Sequence, residues 1–328
     1  MANLKLSIAV GDYDRMRPLL DGRVQIDAVD PQFMTLEPEE IFFRAFRHAD
    51  FDICELSLSS YCVKTAAGTS PYIAVPVFPS RAFRHAAIYI RNDRGINSPA
   101  DLKGKRVGVP EYQLTANVWV RSILQEDHGV APQDISWVRG GYDDPGRVEK
   151  LSLSLPAGVR LENAPEGQTI SGMLADGTLD AVIGPRAPSC FHLPAIRYLY
   201  DDPRRAAEDW YRRTGIFPIM HLLGVRRTLA EAHPWLPAAL VKAFERSKAL
   251  ALAHLEDTSA TKVTLPFVEE QLAAARALMG EDFWSYGLGG NRHVLNAFLK
   301  QHHGEGLSSR LLTPEDLFHP ASLETHRI

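Results

Sequence analysis

Arginines, histidines and one carboxylate stand where strands of this chain are expected to begin or end. Ser80-Arg81-Ala82-Phe83-Arg84-His85 sets two guanidiniums and an imidazole just ahead of an apolar strand pattern. A guanidinium grips a carboxylate with a planar fork that an ammonium cannot copy. The plainer reading of that stretch is a solvated loop edge. Glu111-Tyr112-Gln113-Leu114-Thr115 follows a strand pattern and opens a helical one, so its peptide N–H groups are placed to receive an anion. Thr115 acting as a simple helix cap explains the same residues without a ligand. Gly184-Pro185-Arg186 again closes a strand pattern, as a site or as a turn with an exposed arginine. His221, at the end of Gly215-Ile216-Phe217-Pro218-Ile219-Met220-His221, falls at a strand start, where a lone histidine is more often structural than catalytic. Glu55 interrupts the apolar run Phe51–Leu56, and a carboxylate there needs a partner or a job. Together these residues offer cations for an anionic ligand and imidazoles for proton transfer near neutral pH. A metal held by Glu55, His85 and His221 is an alternative use of the same side chains.

Positioning such residues takes alternating strands and helices. Leu6, Ile8 and Val10 alternate as a strand that ends in Gly11-Asp12-Tyr13, and Val24, Ile26 and Ala28 read as a second. Pro38 opens a helix carrying Ile41, Phe42, Ala45 and Phe46 on one face. Phe51–Leu56 is a strand, Ser57 opens a helix to about Ala67, and Tyr72–Phe78 and His85–Arg91 read as strands, giving a mostly parallel sheet. Ser98-Pro99-Ala100-Asp101 marks an N-cap with proline at the first helical position. Lys105–Pro110, Ile135–Val138 and Leu179–Ile183 follow as strands, with amphipathic Thr115–Asp127 and a helix from Gly167 to Gly177 between them. Met220–Val225 resembles a strand returning to the first sheet, and from Pro234 the pattern is nearly all helical. The long Asp143–Glu166 loop is expected to cover a ligand cleft. His302 and His303 read as surface residues of a polar helix.

At 328 residues the chain suits two lobes better than one core. The expected larger lobe is 1–92 with 187–328, and the smaller, inserted lobe is 93–186. A net charge of -4 without a Lys/Arg block argues against nucleic acid and against a basic membrane surface. No run approaches the roughly 18 to 20 apolar residues of a membrane span. Cys54, Cys62 and Cys190 have neither CxxC spacing nor an even framework, which fits a reducing compartment. Met1 runs straight into the first strand pattern, so a cytoplasmic location is expected. There is no GxGxxG after a strand, no phosphate-binding P-loop, no HExxH and no GxSxG elbow.

Asp101-Leu102-Lys103-Gly104-Lys105-Arg106-Val107-Gly108-Val109 and Met173-Leu174-Ala175-Asp176-Gly177-Thr178-Leu179-Asp180-Ala181 resemble phrases of the type II periplasmic-binding-protein fold. That two-lobed α/β fold binds ligands between its lobes, at the carboxyl ends of strands. More specific segments run in order along the chain: Ser80–Arg91, Asp101–Arg121, Gly184–Phe191, Thr214–His221 and Trp284–Leu299. By them the chain resembles the 4,5-dihydroxyphthalate decarboxylase family. The resemblance implies decarboxylation of a hydroxylated aromatic di-acid without an organic cofactor, a divalent metal remaining open. That chemistry needs a proton donor at the ipso carbon, for which His85 or His221 fits, and a partner for the para hydroxyl, for which Glu55 or the other histidine fits, so the catalytic candidates are His85, His221 and Glu55 with acid and base unassigned. Arg81, Arg84 and Arg186 would bind carboxylate, with Ser57, Tyr112, Gln113 and Thr115 lining the substrate. A small aromatic carboxylate is the expected partner, and a homodimer the expected assembly. A small-anion binding protein, receptor or sensor, is the alternative without catalysis.

Overall fold

The computed structural model describes residues 3–260 and 262–323. Within them the strands are β1 (Leu4–Val10), β2 (Val29–Thr35), β3 (Ile53–Ser57), β4 (Tyr72–Val75), β5 (Ile88–Arg91), β6 (Arg106–Val109), β7 (Ser136–Arg139), β8 (Arg160–Asn163), β9 (Ala181–Ile183), β10 (Ile196–Tyr198) and β11 (His221–Arg226). They form two sheets, ordered β2–β1–β3–β11–β4 and β10–β5–β9–β6–β7–β8. The chain divides into two compact units. One holds residues up to Arg81, Ile219–Asn296 and the chain from Leu312; the other holds Ala82–Pro218 and Ala297–Leu311.

These boundaries differ from 92/93 and 186/187, and strand pairing is the reason. β5 lies antiparallel to β9, Ile88 opposite Ile183, and antiparallel to β10, Tyr89 opposite Tyr198. Both neighbours belong to the second sheet, so the unit starts ahead of β5 and runs past β10. The late segment joins it through its side chains: Phe298 packs 5.3 Å from Trp119, and Glu305 pairs with Arg121.

In the first unit β1 is parallel to β2 and β3, whereas β11 is antiparallel to both β3 and β4. The sheet is therefore mixed, because β11 returns from a later stretch of chain. Every residue of β3 is buried, as a strand covered on both faces must be. Gly224 lets the pair close up, since a Cβ there would stand 2.3 Å from the Leu56 side chain. The helix Pro38–His48 buries Ile41, Phe42, Ala45 and Phe46, the stripe its spacing predicts, and stops at left-handed Ala49. The second strand is not where Val24, Ile26 and Ala28 put it. Val24 and Ile26 are buried, but they lie outside any strand, and left-handed Ala28 (φ 57°) breaks the extended backbone before β2 begins.

The second unit sets β6 parallel between β9 and β7, with β8 parallel at the edge. Ser98 caps the turn Pro99–Leu102, its N–H and hydroxyl donating to Asp101 at 2.8 and 3.0 Å. The helix Thr115–His128 buries Trp119 and ends at Gly129, whose φ of 63° suits glycine. His302 is fully buried, not a surface residue. Its Nδ1 lies 2.6 Å from the Ser308 hydroxyl, and its ring is 5.5 Å from Phe298. Leu295, Phe298, Leu299 and His302 recur at i, i+3, i+4 and i+7, so the ring shares the helix's core face. The three cysteines are free and buried. No helix of the described residues is long and apolar enough to cross a membrane.

Candidate active site

Parallel pairing brings the carboxyl ends of β1 and β3 to one edge of the first sheet, and antiparallel β11 begins at that edge with His221 opposite Ser57. Glu55 faces Leu223, two residues along, so Glu55 and His221 are diagonal neighbours on one face, within reach of long side chains. The Nδ1 of His221 makes a short contact with Oε1 of Glu55. Two further donors complete the carboxylate: the Gly11 N–H to Oε2 at 2.9 Å and the Tyr13 hydroxyl to Oε1 at 2.8 Å. Glu55 is fully buried, while the His221 side chain keeps 17% exposure. Phe42 meets the imidazole edge-on at 4.7 Å.

The electrostatics follow from those contacts. Burial alone pushes the Glu55 carboxyl up, but His221 and the hydrogen bonds from Gly11 and Tyr13 outweigh it and hold it below the usual carboxylate range. Burial and the Glu55 charge push the Tyr13 phenol upward, so it stays a donor. An ionised Glu55 needs the proton on Nδ1 of His221, leaving Nε2 for a ligand. A buried carboxylate orienting an imidazole through Nδ1 is a proton-transfer arrangement. Ser57 is 3% exposed at the end of β3, beside this pair in the register.

Arg81, also in the first unit, is committed to its own chain. Its guanidinium donates to the Ser285 carbonyl at 2.7 Å and to Oδ1 of Asn291, 5.0 Å from the Phe78 ring. It is 6% exposed and ties down the 285–291 segment, so it is not built as a substrate clamp.

In the second unit the turn after β6 does receive an anion, but the chain supplies it. Glu149 accepts the Tyr112 N–H at 2.6 Å. Glu111 takes the Lys150 ammonium at 2.6 Å and the Arg147 guanidinium at 2.5 Å. Burial and the neighbouring Glu111 push Glu149 up to about 7. Gln113 is fully buried, 3.4 Å from Glu111, and Thr115 is 4% exposed as the first residue of its helix. The Tyr112 ring is core, with the Arg121 guanidinium 3.9 Å above it and Trp137 edge-on at 5.7 Å. The expectation that Tyr112 and Gln113 line a ligand therefore gives way to internal packing. Arg186 is 67% exposed and reaches Asp143 only at 3.5 Å, so its fork can take a carboxylate. Burial lowers Arg84 to about 10, which leaves it charged at neutral pH.

His85 is 3% exposed, its ring 5.3 Å from Tyr200 and 5.6 Å from Trp210 in the wall of a pocket of about 500 Å³ that also contains Asp127, His128 and Arg213. Burial pushes it down to about 4, so it is neutral at pH 7 and holds no imidazolium proton to give. Its ring is packed among aromatic side chains, with Nδ1 buried and without a hydrogen-bond partner among the described residues. The folded protein binds this proton less readily than the unfolded chain does. Stability is therefore full above about pH 6.5 and lost as pH falls towards 4, by about 3 kcal/mol. Urea unfolding across that range is expected to show the loss, and His85→Phe to flatten it.

Tyr13, Gly11 and Phe42 are the site residues that residue type did not single out. The available signal was position, since Gly11-Asp12-Tyr13 directly follows the carboxyl end of β1. Among the described residues, no group of three or more His, Cys, Asp or Glu side chains is arranged to hold a metal ion. Glu55 and His221 instead bond to each other.

Two mixed sheets in two units, with strand ends that present an oriented imidazole, define a periplasmic-binding-protein-like α/β protein. The periplasmic aliphatic sulphonate binding protein SsuA from Escherichia coli has this fold, at a TM-score of 0.55 and 14% identity over 97% of this chain and 92% of that one. A sulfonate-binding SsuA from Methylobacillus flagellatus matches at 0.56, with 12% identity over 98% and 93%. The family model described as NMT1/THI5 like matches residues 83–147. The chain itself belongs to the 4,5-dihydroxyphthalate decarboxylase family. It is 72% identical to the 4,5-dihydroxyphthalate decarboxylase of Comamonas testosteroni over the full length of both, and 74% identical over 214 residues to that of Pseudomonas putida, covering 65% of this chain and 83% of that one.

Proposed function

We propose that the chain is a carboxy-lyase that converts 4,5-dihydroxyphthalate to protocatechuate and CO2, with His221 as its proton-transfer residue. The full-length identity to the Comamonas testosteroni enzyme carries the reaction, and the Glu55–His221 pair supplies a group able to perform it. In this substrate each ring hydroxyl is para to one carboxylate. Electron density pushed from the hydroxyl makes the ipso carbon basic. The Nε2 proton of a His221 imidazolium forms the new C–H bond there, the C–C bond to the carboxylate breaks, and its electron pair restores the aromatic ring as CO2 leaves. The ring nitrogen regains its proton from solvent. The Glu55 carboxylate holds Nδ1 and fixes the imidazole's orientation, so little is spent on rearrangement as the proton moves.

The test is turnover by the purified protein. One CO2 and one protocatechuate are expected per 4,5-dihydroxyphthalate consumed, with one deuterium at the vacated carbon when the solvent is D2O. Phthalate, which lacks the para hydroxyl, is expected to bind without reacting. Tight binding of the dihydroxy acid with no CO2 release would point to a binding protein instead.

A further inference from the structure

Glu55 receives its third hydrogen bond from a residue that is itself clamped. The Tyr13 hydroxyl donates to Oε1, the oxygen that also meets His221 Nδ1. The Tyr13 ring lies against Gly11, where a Cβ would stand 2.5 Å from the ring, so only glycine permits this approach. The Arg15 guanidinium stacks 4.3 Å from the Tyr13 ring and 4.3 Å from the Trp284 ring. Arg15 Nε donates to the Pro79 carbonyl at 2.7 Å, and the Trp284 indole N–H to the Phe78 carbonyl at 3.0 Å. A phenol serving only as packing would need neither the bond to a buried carboxylate nor this frame.

We infer that Tyr13 is a positioning residue of the decarboxylation: it fixes Glu55 against His221, and is itself set by Gly11, Arg15 and Trp284. The inference rests on the proton-transfer role proposed for His221. Oε1 is shared by two donors, so without the phenol the carboxylate is held by the Gly11 N–H on Oε2 and by His221 alone on Oε1, and Nδ1 of His221 meets a less firmly fixed acceptor. The effect should fall on the chemical step rather than on substrate affinity, because Tyr13 acts through Glu55.

Tyr13→Phe keeps the ring and its stacking and removes only the hydroxyl. It is expected to lower kcat about tenfold, the scale of one hydrogen bond to a charged group, with KM within about twofold of wild type. The charged and titratable groups around Glu55 are His221 on β11, Cys54 beside it on β3, and Tyr286 and Arg15 from the packed segments. Of these contacts the variant deletes only a donor to the ionised form, so the acid limb of the kcat profile moves to higher pH. Unchanged kcat and an unmoved acid limb in the folded variant would overturn the inference. If wild type itself fails to turn over the substrate, the decarboxylase reading falls, and the ¹⁵N signals of His221 still decide the geometry. Tyr13→Phe is expected to shift the Nδ1–H tautomer population, and identical spectra would count against a positioning role.

Discussion

His221→Ala is expected to lower kcat by about a thousandfold, the middle of the range for general acid–base catalysis, while a non-reacting analogue such as phthalate binds nearly as well as to wild type. The size follows from what the ring offers. Nδ1 is occupied by Glu55, Nε2 is the nitrogen left for a ligand, and Phe42 braces the ring edge. Alanine removes the proton and leaves Glu55 with its bonds from Gly11 and Tyr13. Glu55→Gln probes the same pair from the other side. Its amide has one acceptor oxygen for three donors, and its NH2 must face one of them, so the imidazole loses its fixed tautomer. A loss of about a hundredfold or more in kcat is expected with the fold retained. The carboxylate also leaves a thermodynamic mark. Glu55 binds its proton less readily folded than unfolded, so its contribution to stability is present above the ordinary carboxyl range and disappears as pH falls through the lowered folded value. Glu55→Gln should remove that part of the acid sensitivity. The measurements are kcat, analogue Kd and Tm for each variant. A folded His221→Ala protein with near-wild-type turnover would remove His221 from the chemistry.

How much of this was legible in the sequence depended on whether the cause was local. The alternation at Leu6, Ile8 and Val10, the proline-led helix at Pro38, and the returning strand at Met220–Val225 arise from periodicity within a few residues, and the elements lie there. Val24, Ile26 and Ala28 alternate too, but a left-handed residue does not announce itself in side-chain polarity. Glu55 stood out as a carboxylate in an apolar run, and His221 as a histidine at a strand start. Their bond spans 166 positions, and only the antiparallel register of β11 on β3 creates it. Tyr13 was hidden because its partner is 42 residues away and tyrosine is ordinary at a strand end. Arg81 and Tyr112 went the other way: their types suit a ligand, yet Arg81 bonds to Ser285 and Asn291 and the Tyr112 ring packs between Arg121 and Trp137. Residue type says what a group can bind, and long-range packing decides whether the chain has already bound it.

The costliest single changes to stability are expected at Arg121 and Glu305, neither of which belongs to the proposed chemistry. Their side chains are 1% and 2% exposed. Nε reaches both carboxylate oxygens at 3.0 Å and Nη2 reaches Oε2 at 2.6 Å, while Nη1 donates to the Tyr112 carbonyl at 2.9 Å. Gln301 adds a donor to Oε1 at 2.8 Å, and the Tyr112 ring lies 3.9 Å from the guanidinium. Removing either partner leaves a buried charge without its counter-charge, whose desolvation the remaining neutral contacts offset only in part. Arg121→Met and Glu305→Leu should each therefore cost about 3 to 5 kcal/mol. The double variant buries no charge at this position and fills it with apolar volume, so it should recover much of the loss. The carbonyl of Tyr112 then lacks one donor, which leaves a residual cost of about 1 to 3 kcal/mol. Urea unfolding of the four proteins gives the coupling directly. Strictly additive losses, or single losses below about 1 kcal/mol, would mean that water reaches the pair and that the late segment is held to the second unit by Phe298 and its apolar neighbours instead.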